Sequence, residues 1–170
     1  MGLDMYLYRK ERISTIQKSI KYVDSNKHEK EIELKEGYPE NTYNLDVVTE
    51  AAYWRKSNQI HKWFVDHIQD GVDDCREYYV SRGALVELLE TCKKVKANSK
   101  LVDKNGIKVI EDPTTAKKLL PTCPGFFFGQ YEYNESYMYD IDQTIEQLEE
   151  LFKKDKTASW EVSYSYTSSW

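Results

Sequence analysis

The chain has 170 residues, of which 31% are charged and 40% are hydrophobic, and its formal net charge at pH 7 is −5. This length favours a single domain with its own core. The acidic balance without a cluster of Lys and Arg argues against DNA or RNA binding, and no apolar run approaches the ~18 residues of a membrane-spanning helix.

Cysteine usage and the N-terminal residues favour the cytoplasm. The three cysteines, at 75, 92 and 123, form no Cys-x-x-Cys pair and are too few for a disulfide framework. The first residues lack the basic region and apolar core of a secretory signal. We therefore expect a reducing compartment.

The N-terminal part is predicted to combine strands with a short helix. Apolar residues alternate with polar and aromatic ones from Leu3 to Leu7, which indicates a strand. Four β-branched residues recur at helical spacing within 12–23, which predicts a helix. An edge strand is predicted at 31–35, inside an insertion at 24–45 that we expect to be mobile.

Residues 53–68 are predicted to form the central helix, with Thr49 as its N-cap and its end near Asp70 and Gly71. One apolar stripe has the spacing of a buried helix face: Tyr53, Ile60, Trp63, Phe64 and Ile68. A second line lies about a quarter turn away: Trp54, Asn58, His61 and Val65. Because a surface helix needs one buried stripe, the second predicts a helix covered on two sides or facing a cavity.

The remaining elements alternate between short strands and helices. We predict a strand at 77–80, a helix capped by Ser81 and a strand from Ile107. These are followed by a brief helix capped by Asp112 and an interior strand or buried loop at Phe126 to Phe128. The chain is predicted to end with a helix at 135–154 and a closing strand at 160–166 that pairs with the first strand. Cys92 lies in the apolar stripe of its helix and is predicted to be buried. The result is one α+β domain, 1–170, with a small antiparallel or mixed sheet and about three longer helices.

Two kinds of chemistry are weaker alternatives for the central helix and the loop after it. His and Asp residues are frequent there, but they lack the spacing of a zinc site or a calcium loop, so we predict neither a metal nor another cofactor. His61 is the best candidate for acid–base catalysis, with Asp66 or Asp4 as its partner. A His on a partly apolar stripe is more often a packing residue, and no nucleophile or phosphate-loop motif is present.

A pocket for a flat, anionic small molecule is the leading hypothesis. Aromatic rings would stack on the ligand, amide and imidazole groups would form hydrogen bonds, and arginines would contact phosphate. The predicted ligand-binding residues are Trp54, Arg55, Asn58, His61, Tyr78, Arg82, Phe128 and Tyr131. The competing interpretation places these rings in the core or on a homodimer face.

The opening "MGLDMYL", the segment "YWRKSNQIHKWFV" and the later "DGVDDC", "EYYVS" and "YMYDIDQTIEQLEEL" resemble small proteins encoded by bacteriophages and prophages. The resemblance carries no catalytic residue. It implies the cytoplasm of an infected bacterium and a protein that neutralises a host defence. We therefore expect a non-enzymatic sink for a nucleotide-like immune signal. The alternatives are an inhibitor that binds a host protein, and a phosphodiesterase-like enzyme that uses His61.

Overall fold

The computed structural model describes residues 2–14, 19–23, 28–33, 42–125 and 128–170. In chain order the elements in these ranges are β1 Asp4–Ser14, β2 Ser19–Val23, β3 Glu29–Glu33, β4 Asn44–Arg55, α1 Asn58–His67, β5 Tyr78–Val80, α2 Arg82–Ala97, β6 Leu101–Lys104, β7 Ile107–Ile110, α3 Thr114–Leu119, α4 Glu135–Lys154 and β8 Val162–Ser169. An antiparallel sheet has the order β4-β1-β8-β5, while β2–β3 and β6–β7 form separate antiparallel pairs. This confirms the predicted single α+β domain.

The core lies between one face of the four-stranded sheet and the helices. Leu3, Met5 and Leu7 point into it from β1 or just before it, and Tyr164 and Tyr166 from β8. Two helices contribute apolar stripes: Leu85, Leu88, Leu89, Cys92 and Val95 from α2, and Tyr137, Met138, Ile141, Leu148 and Leu151 from α4. Burying these side chains supplies most of the favourable free energy of folding.

Side-chain caps fix the starts of the two long helices. The Ser81 hydroxyl accepts a hydrogen bond from the Ala84 amide, and the Asn134 side chain accepts from the amides of Ser136 and Tyr137. These bonds satisfy amides that have no partner within the helix. The predicted cap at Ser81 and the predicted limits of the last helix, 135–154, are confirmed.

The closing strand pairs with the first strand, as predicted, with Tyr6 opposite Thr167 and Leu7 opposite Tyr166. It also pairs with β5 on its other side, so β8 is an interior strand. Cys92 is fully buried, and desolvation raises the pKa of its thiol to about 12. A thiol with this pKa packs as a small apolar group.

Three local predictions are wrong. Ile13 lies in β1 and Ile20 in β2, so the described parts of 12–23 are strands. Thr49 lies within β4 and caps no helix, and the central helix begins at Asn58, after a strand that continues to Arg55. In these segments β-branched or aromatic residues with strand propensity coincide with a helical spacing, and strand pairing prevails: β4 pairs with β1, and β2 pairs with β3.

Parts of two predicted segments lie outside the described residues. In the insertion expected at 24–45, residues 24–27 and 34–41 are not described, whereas β3 covers Glu29–Glu33. In the Phe126 to Phe128 run, only Phe128 is described, and its side chain is buried in a loop. The helix predicted from Asp112 begins at Thr114, whose amide donates to the Asp112 carboxylate at 3.0 Å.

Candidate functional site

Trp54, the first residue of the predicted second stripe, is a core residue at the end of β4. Its side chain is fully buried, and its indole Nε1 donates a hydrogen bond to Thr144 Oγ1 on α4 at 2.9 Å. Its ring packs against Phe64 with centroids 5.9 Å apart. The indole therefore links the sheet to two helices.

Asn58 holds the loop between α3 and α4 against the start of α1. Its Oδ1 accepts from the Cys123 amide at 2.9 Å, and its Nδ2 donates to the carbonyls of Phe128 and Gln130 at 3.2 and 2.8 Å. The side chain is 1% exposed, so these three bonds satisfy a buried amide. Asn58 thus positions the backbone of this loop.

His61 is fully buried, and both of its ring nitrogens have protein partners. Nδ1 lies 2.7 Å from the Tyr166 hydroxyl, and Nε2 lies 3.0 Å from Asp73 Oδ1. Desolvation lowers the pKa of the imidazole, against the raising effect of Asp73. Because an ionised Asp73 can only accept, we assign the proton to Nε2, so that Nδ1 accepts from Tyr166. This geometry favours a structural role, since neither nitrogen is left to contact a substrate.

Three further predicted ligand-binding residues have partners at separate places. The Tyr78 hydroxyl donates to Asp74 Oδ2 at 3.0 Å. Arg82 donates to the carbonyl of Asp155 at 3.2 Å, with its guanidinium 4.7 Å from the Phe152 ring centroid. The Tyr131 hydroxyl donates to the Gly125 carbonyl at 3.0 Å.

One predicted residue, Arg55, does line a cleft, whose volume is about 300 Å³. The cleft lies where the end of β4, the start of α1, the loop before α4 and the first turns of α4 meet. Its lining residues are Arg55, Lys56, Gln59, Gly129, Gln130, Glu132, Ser136, Tyr137 and Asp140. This volume is at the small end of the range for small-molecule sites.

The wall of the cleft depends on an unusual backbone contact between Lys56 and Gly129. Lys56 adopts a φ of 59°, which is uncommon for a residue with a side chain, and Gly129 has a φ of 100°. A Cβ atom added to Gly129 would lie 2.8 Å from the Lys56 carbonyl oxygen. Glycine is therefore required at 129 for the loop to approach α1.

Asp140 is a largely buried carboxyl group in the cleft. Its Oδ2 accepts from Gln59 Nε2 at 3.0 Å. Desolvation raises the pKa of Asp140 to about 6, although hydrogen bonds from Gln59 and Ser57 lower it. Among the described residues no Lys or Arg forms an ion pair with Asp140. Carboxyl groups with shifted pKa values in clefts are frequent at functional sites.

The sequence contained a usable signal for Asp140. It lies three residues after Tyr137 and four before Thr144, both of which are buried on α4. An acid at this spacing falls on the buried side of its helix, where an unpaired charge is costly. Nothing in the local sequence could place Gln59 beside it, because their sequence separation is 81 residues.

A larger groove, of about 720 Å³, lies between β2, the outer ends of β1 and β4, and the end of α4. Its buried cation, Arg9, is already bound: the guanidinium contacts both Asp155 oxygens, at 2.7 to 3.0 Å, and Glu11 Oε2 at 2.5 Å. The buried cation of this groove is therefore not available to a ligand.

No protein-family model, curated protein or solved structure matches the chain. Within the described ranges no helix is long and apolar enough to cross a membrane. The same ranges contain no group of three or more His, Cys, Asp or Glu side chains arranged to hold a metal ion. The resemblance to bacteriophage proteins stays a prediction, and functional inference depends on the geometry of the site.

Proposed function

We propose that this protein is a non-enzymatic binding protein for a small nucleotide-like molecule, held in the cleft at Asp140. The observation that carries the proposal is the combination of two cationic side chains, Arg55 and Lys56, with the part-buried pair of Gln59 and Asp140. Cations suit phosphate, while an amide and a carboxyl group suit the donors and acceptors on a base edge.

The two cations are available to an anionic ligand. The Arg55 side chain is 63% exposed, and its nearest carboxylate oxygen, on Asp4, is 4.0 Å away. Lys56 has no ion-pair partner among the described residues. An exposed ion pair at the limit of contact distance contributes little, so a phosphate could displace Asp4 with little loss of free energy.

The geometry of the site supports ligand binding without catalysis. His61 is enclosed by Tyr166, Asp73 and Phe128. It is absent from the lining of the cleft. With the phage-like sequence features, we propose that the protein sequesters a nucleotide-like signal of host immunity in the bacterial cytoplasm.

Calorimetric titration tests the proposal with mononucleotides, cyclic dinucleotides and cyclic ADP-ribose isomers as probes. We expect one of them to bind, and Arg55→Gln to weaken its binding about tenfold, as expected for a lost charge-assisted hydrogen bond. Lys118→Gln is the matched control, since Lys118 is exposed on α3. Mass spectrometry of the probe recovered after denaturation should return it unchanged, whereas a cleaved probe would indicate an enzyme.

Two results would contradict the proposal. One is the absence of binding by every probe at millimolar concentration. The other is binding that Arg55→Gln leaves unchanged, since the ligand would then occupy another surface.

A further inference from the structure

The four-stranded sheet has a second face, opposite the helices, that carries tyrosines. Along β1 the side chains of Met5 and Leu7 are fully buried in the core, whereas those of Tyr6 and Tyr8 lie on the other face. The register places Tyr53 of β4 opposite Tyr6 and Tyr79 of β5 opposite Ser165, which pairs with Tyr8. We call the surface formed by Tyr6, Tyr8, Tyr53 and Tyr79 the tyrosine face.

The rings of the tyrosine face are ordered against one another. Those of Tyr6 and Tyr8 are parallel to within 3°, with centroids 6.0 Å apart, and the Tyr53 ring lies 5.3 Å from that of Tyr6. Tyr79 is 71% exposed and Val48, on the same face of β4, is 53% exposed. A contiguous aromatic surface on one side of a sheet is typical of an interaction site.

Each end of the tyrosine face carries an acidic and a basic side chain that form an ion pair. Asp4 lies at one end of the β1 row, where its carboxylate accepts from the Tyr53 hydroxyl, and Arg55 lies beside it. Lys10 lies at the other end and pairs with Glu77. This mixture of signs does not suit a polyanion such as nucleic acid, which needs a continuous positive surface.

We infer that the tyrosine face binds a second copy of the same chain. A two-fold axis between the two sheets, perpendicular to β1, places Asp4 of one copy opposite Lys10 of the other. The same axis places Tyr6 opposite Tyr8 of the second copy. It also brings Arg55 over the part of β4 that contains Glu50 and Asp46. Asp4 of each copy therefore faces Lys10 of the other, around a centre of four aromatic rings.

The size of the face determines how stable this dimer can be. From Asp4 to Lys10 the row is about 20 Å long, and four strands are about 15 Å across. Two such faces cover about 600 Å² in total, which is below the range of about 1,200–2,000 Å² for stable specific interfaces and belongs to weak, transient ones. The dimer should therefore dissociate on dilution. The interface shares Arg55 with the ligand cleft, but neither Asp4 nor Lys10, the two residues changed in the test below, lines that cleft.

Charge reversal tests both the surface and its antiparallel arrangement. Asp4→Lys sets two ammonium groups against each other across the interface, and Lys10→Glu sets two carboxylates against each other. Each single variant should therefore raise the dimer dissociation constant about tenfold or more. The double variant Asp4→Lys/Lys10→Glu restores opposite charges and should recover the dimer. Sedimentation equilibrium of the full chain over a range of concentrations measures all three constants, with circular dichroism to establish that each variant is folded.

The control variant changes a charge on a different surface of the molecule. Glu87→Lys, on the exposed side of α2, applies the same kind of charge change elsewhere and should leave the dimer unchanged. A protein that stays monomeric at millimolar concentration overturns the inference, as does a dimer insensitive to both single reversals. Failure of the double variant to recover the dimer also overturns it, because a face used by a different protein has no reason to be rescued by the swap.

Discussion

Asp140 and His61 are ionisable side chains whose charged forms are disfavoured by the fold. Desolvation raises the pKa of Asp140 and lowers that of His61. Both shifts disfavour the charged form, as expected when a group leaves water without a full counter-charge. The difference is in access: Asp140 lines the cleft, whereas His61 is enclosed by Tyr166 and Asp73. Asp140 is therefore the residue whose charge a ligand can change.

Asp140→Asn should stabilise the protein at pH 8 but have little effect at pH 4. The folded-state pKa of about 6 lies above the ordinary value of 3.8, so the stability gained from protonation is fully present below pH 3.8 and is lost as the pH rises through 6. An asparagine amide is uncharged, so its burial does not carry the cost of desolvating a carboxylate. We therefore expect Asp140→Asn to raise the free energy of unfolding by about 1–3 kcal/mol at pH 8. Urea denaturation at both pH values measures the difference.

The control for this prediction is Asp142→Asn on the same helix. Asp142 is half exposed and pairs with Lys96 at 2.7 Å, so its replacement should change the free energy of unfolding by less than about 1 kcal/mol. Equal effects of Asp140→Asn at pH 4 and pH 8 would show that the carboxyl group is already ionised at pH 4.

Sequence reasoning identified some of the unusual residues without identifying their partners. The second stripe predicted a helix covered on two sides or facing a cavity, and its residues Trp54, Asn58 and His61 are buried, although Trp54 lies in β4. Their hydrogen-bond partners are Thr144, Cys123 and Tyr166, which lie 65 to 105 residues further along the chain. The spacing of residues along a helix contains no information on such distant contacts. The same sequence pattern is therefore compatible with a cavity beside these residues and with a set of tertiary hydrogen bonds.

At the scale of single elements, the junction between β4 and α1 explains the main error in the prediction. Tyr53 and Trp54 continue the strand, and the chain turns at Lys56 with a φ of 59° before α1 starts at Asn58. Both parts contribute aromatic residues whose spacing happens to continue the helical period. The turn uses a lysine in the left-handed region, so no glycine or proline marks it in the sequence.

Gly129→Ala tests the contact that shapes this junction, with Gly71→Ala as its matched control. Both glycines have positive φ, 100° and 77°, but an added Cβ has no neighbour within 4 Å at Gly71. Gly71→Ala should therefore lower the free energy of unfolding by about 1–2 kcal/mol, because alanine is strained in the left-handed conformation. Gly129→Ala should lower the free energy of unfolding by about 1–3 kcal/mol more than Gly71→Ala does, because its Cβ would clash with the Lys56 carbonyl oxygen. Equal losses in chemical denaturation would mean that the loop moves away from α1 without cost.

At the scale of the whole molecule, the sheet is fastened to the last helix by a buried ion pair. Arg9 of β1 binds Asp155 after α4, and the Tyr164 hydroxyl of β8 donates to the same carboxylate at 2.8 Å. Burial would raise the pKa of Asp155, but the hydrogen bonds from Arg9 and Tyr164 prevail and lower it. The fold class could be predicted from the sequence, because alternation and helix caps are local; the pairing of the terminal strands was predicted as well. This ion pair and the tyrosine face could not be predicted, because they depend on the register of distant strands.

The same register shows that residues 15–43 form an insertion within a continuous pair of strands. Ser14 is paired with Asn44, the last pair of the β1–β4 ladder. Among the described strands, β2 and β3 pair with each other and with no strand of the main sheet. None of the core residues of the sheet and helices lies in the described parts of this segment.

Replacing residues 15–43 by an Asn-Gly turn should therefore leave the domain folded. A two-residue turn of this type suits the right-handed twist of a hairpin. Shortening the loop should raise the free energy of unfolding by on the order of 2 kcal/mol, because a short loop costs less entropy to close. The loss of the contacts that Ile20 makes in the larger groove should reduce this gain. The matched control replaces the same residues by a Gly-Ser linker of equal length, which removes the β2–β3 pair but keeps the loop long. Thermal denaturation should rank the short-turn variant above the linker variant. Loss of the cooperative transition in both would show that the main sheet needs the inserted pair.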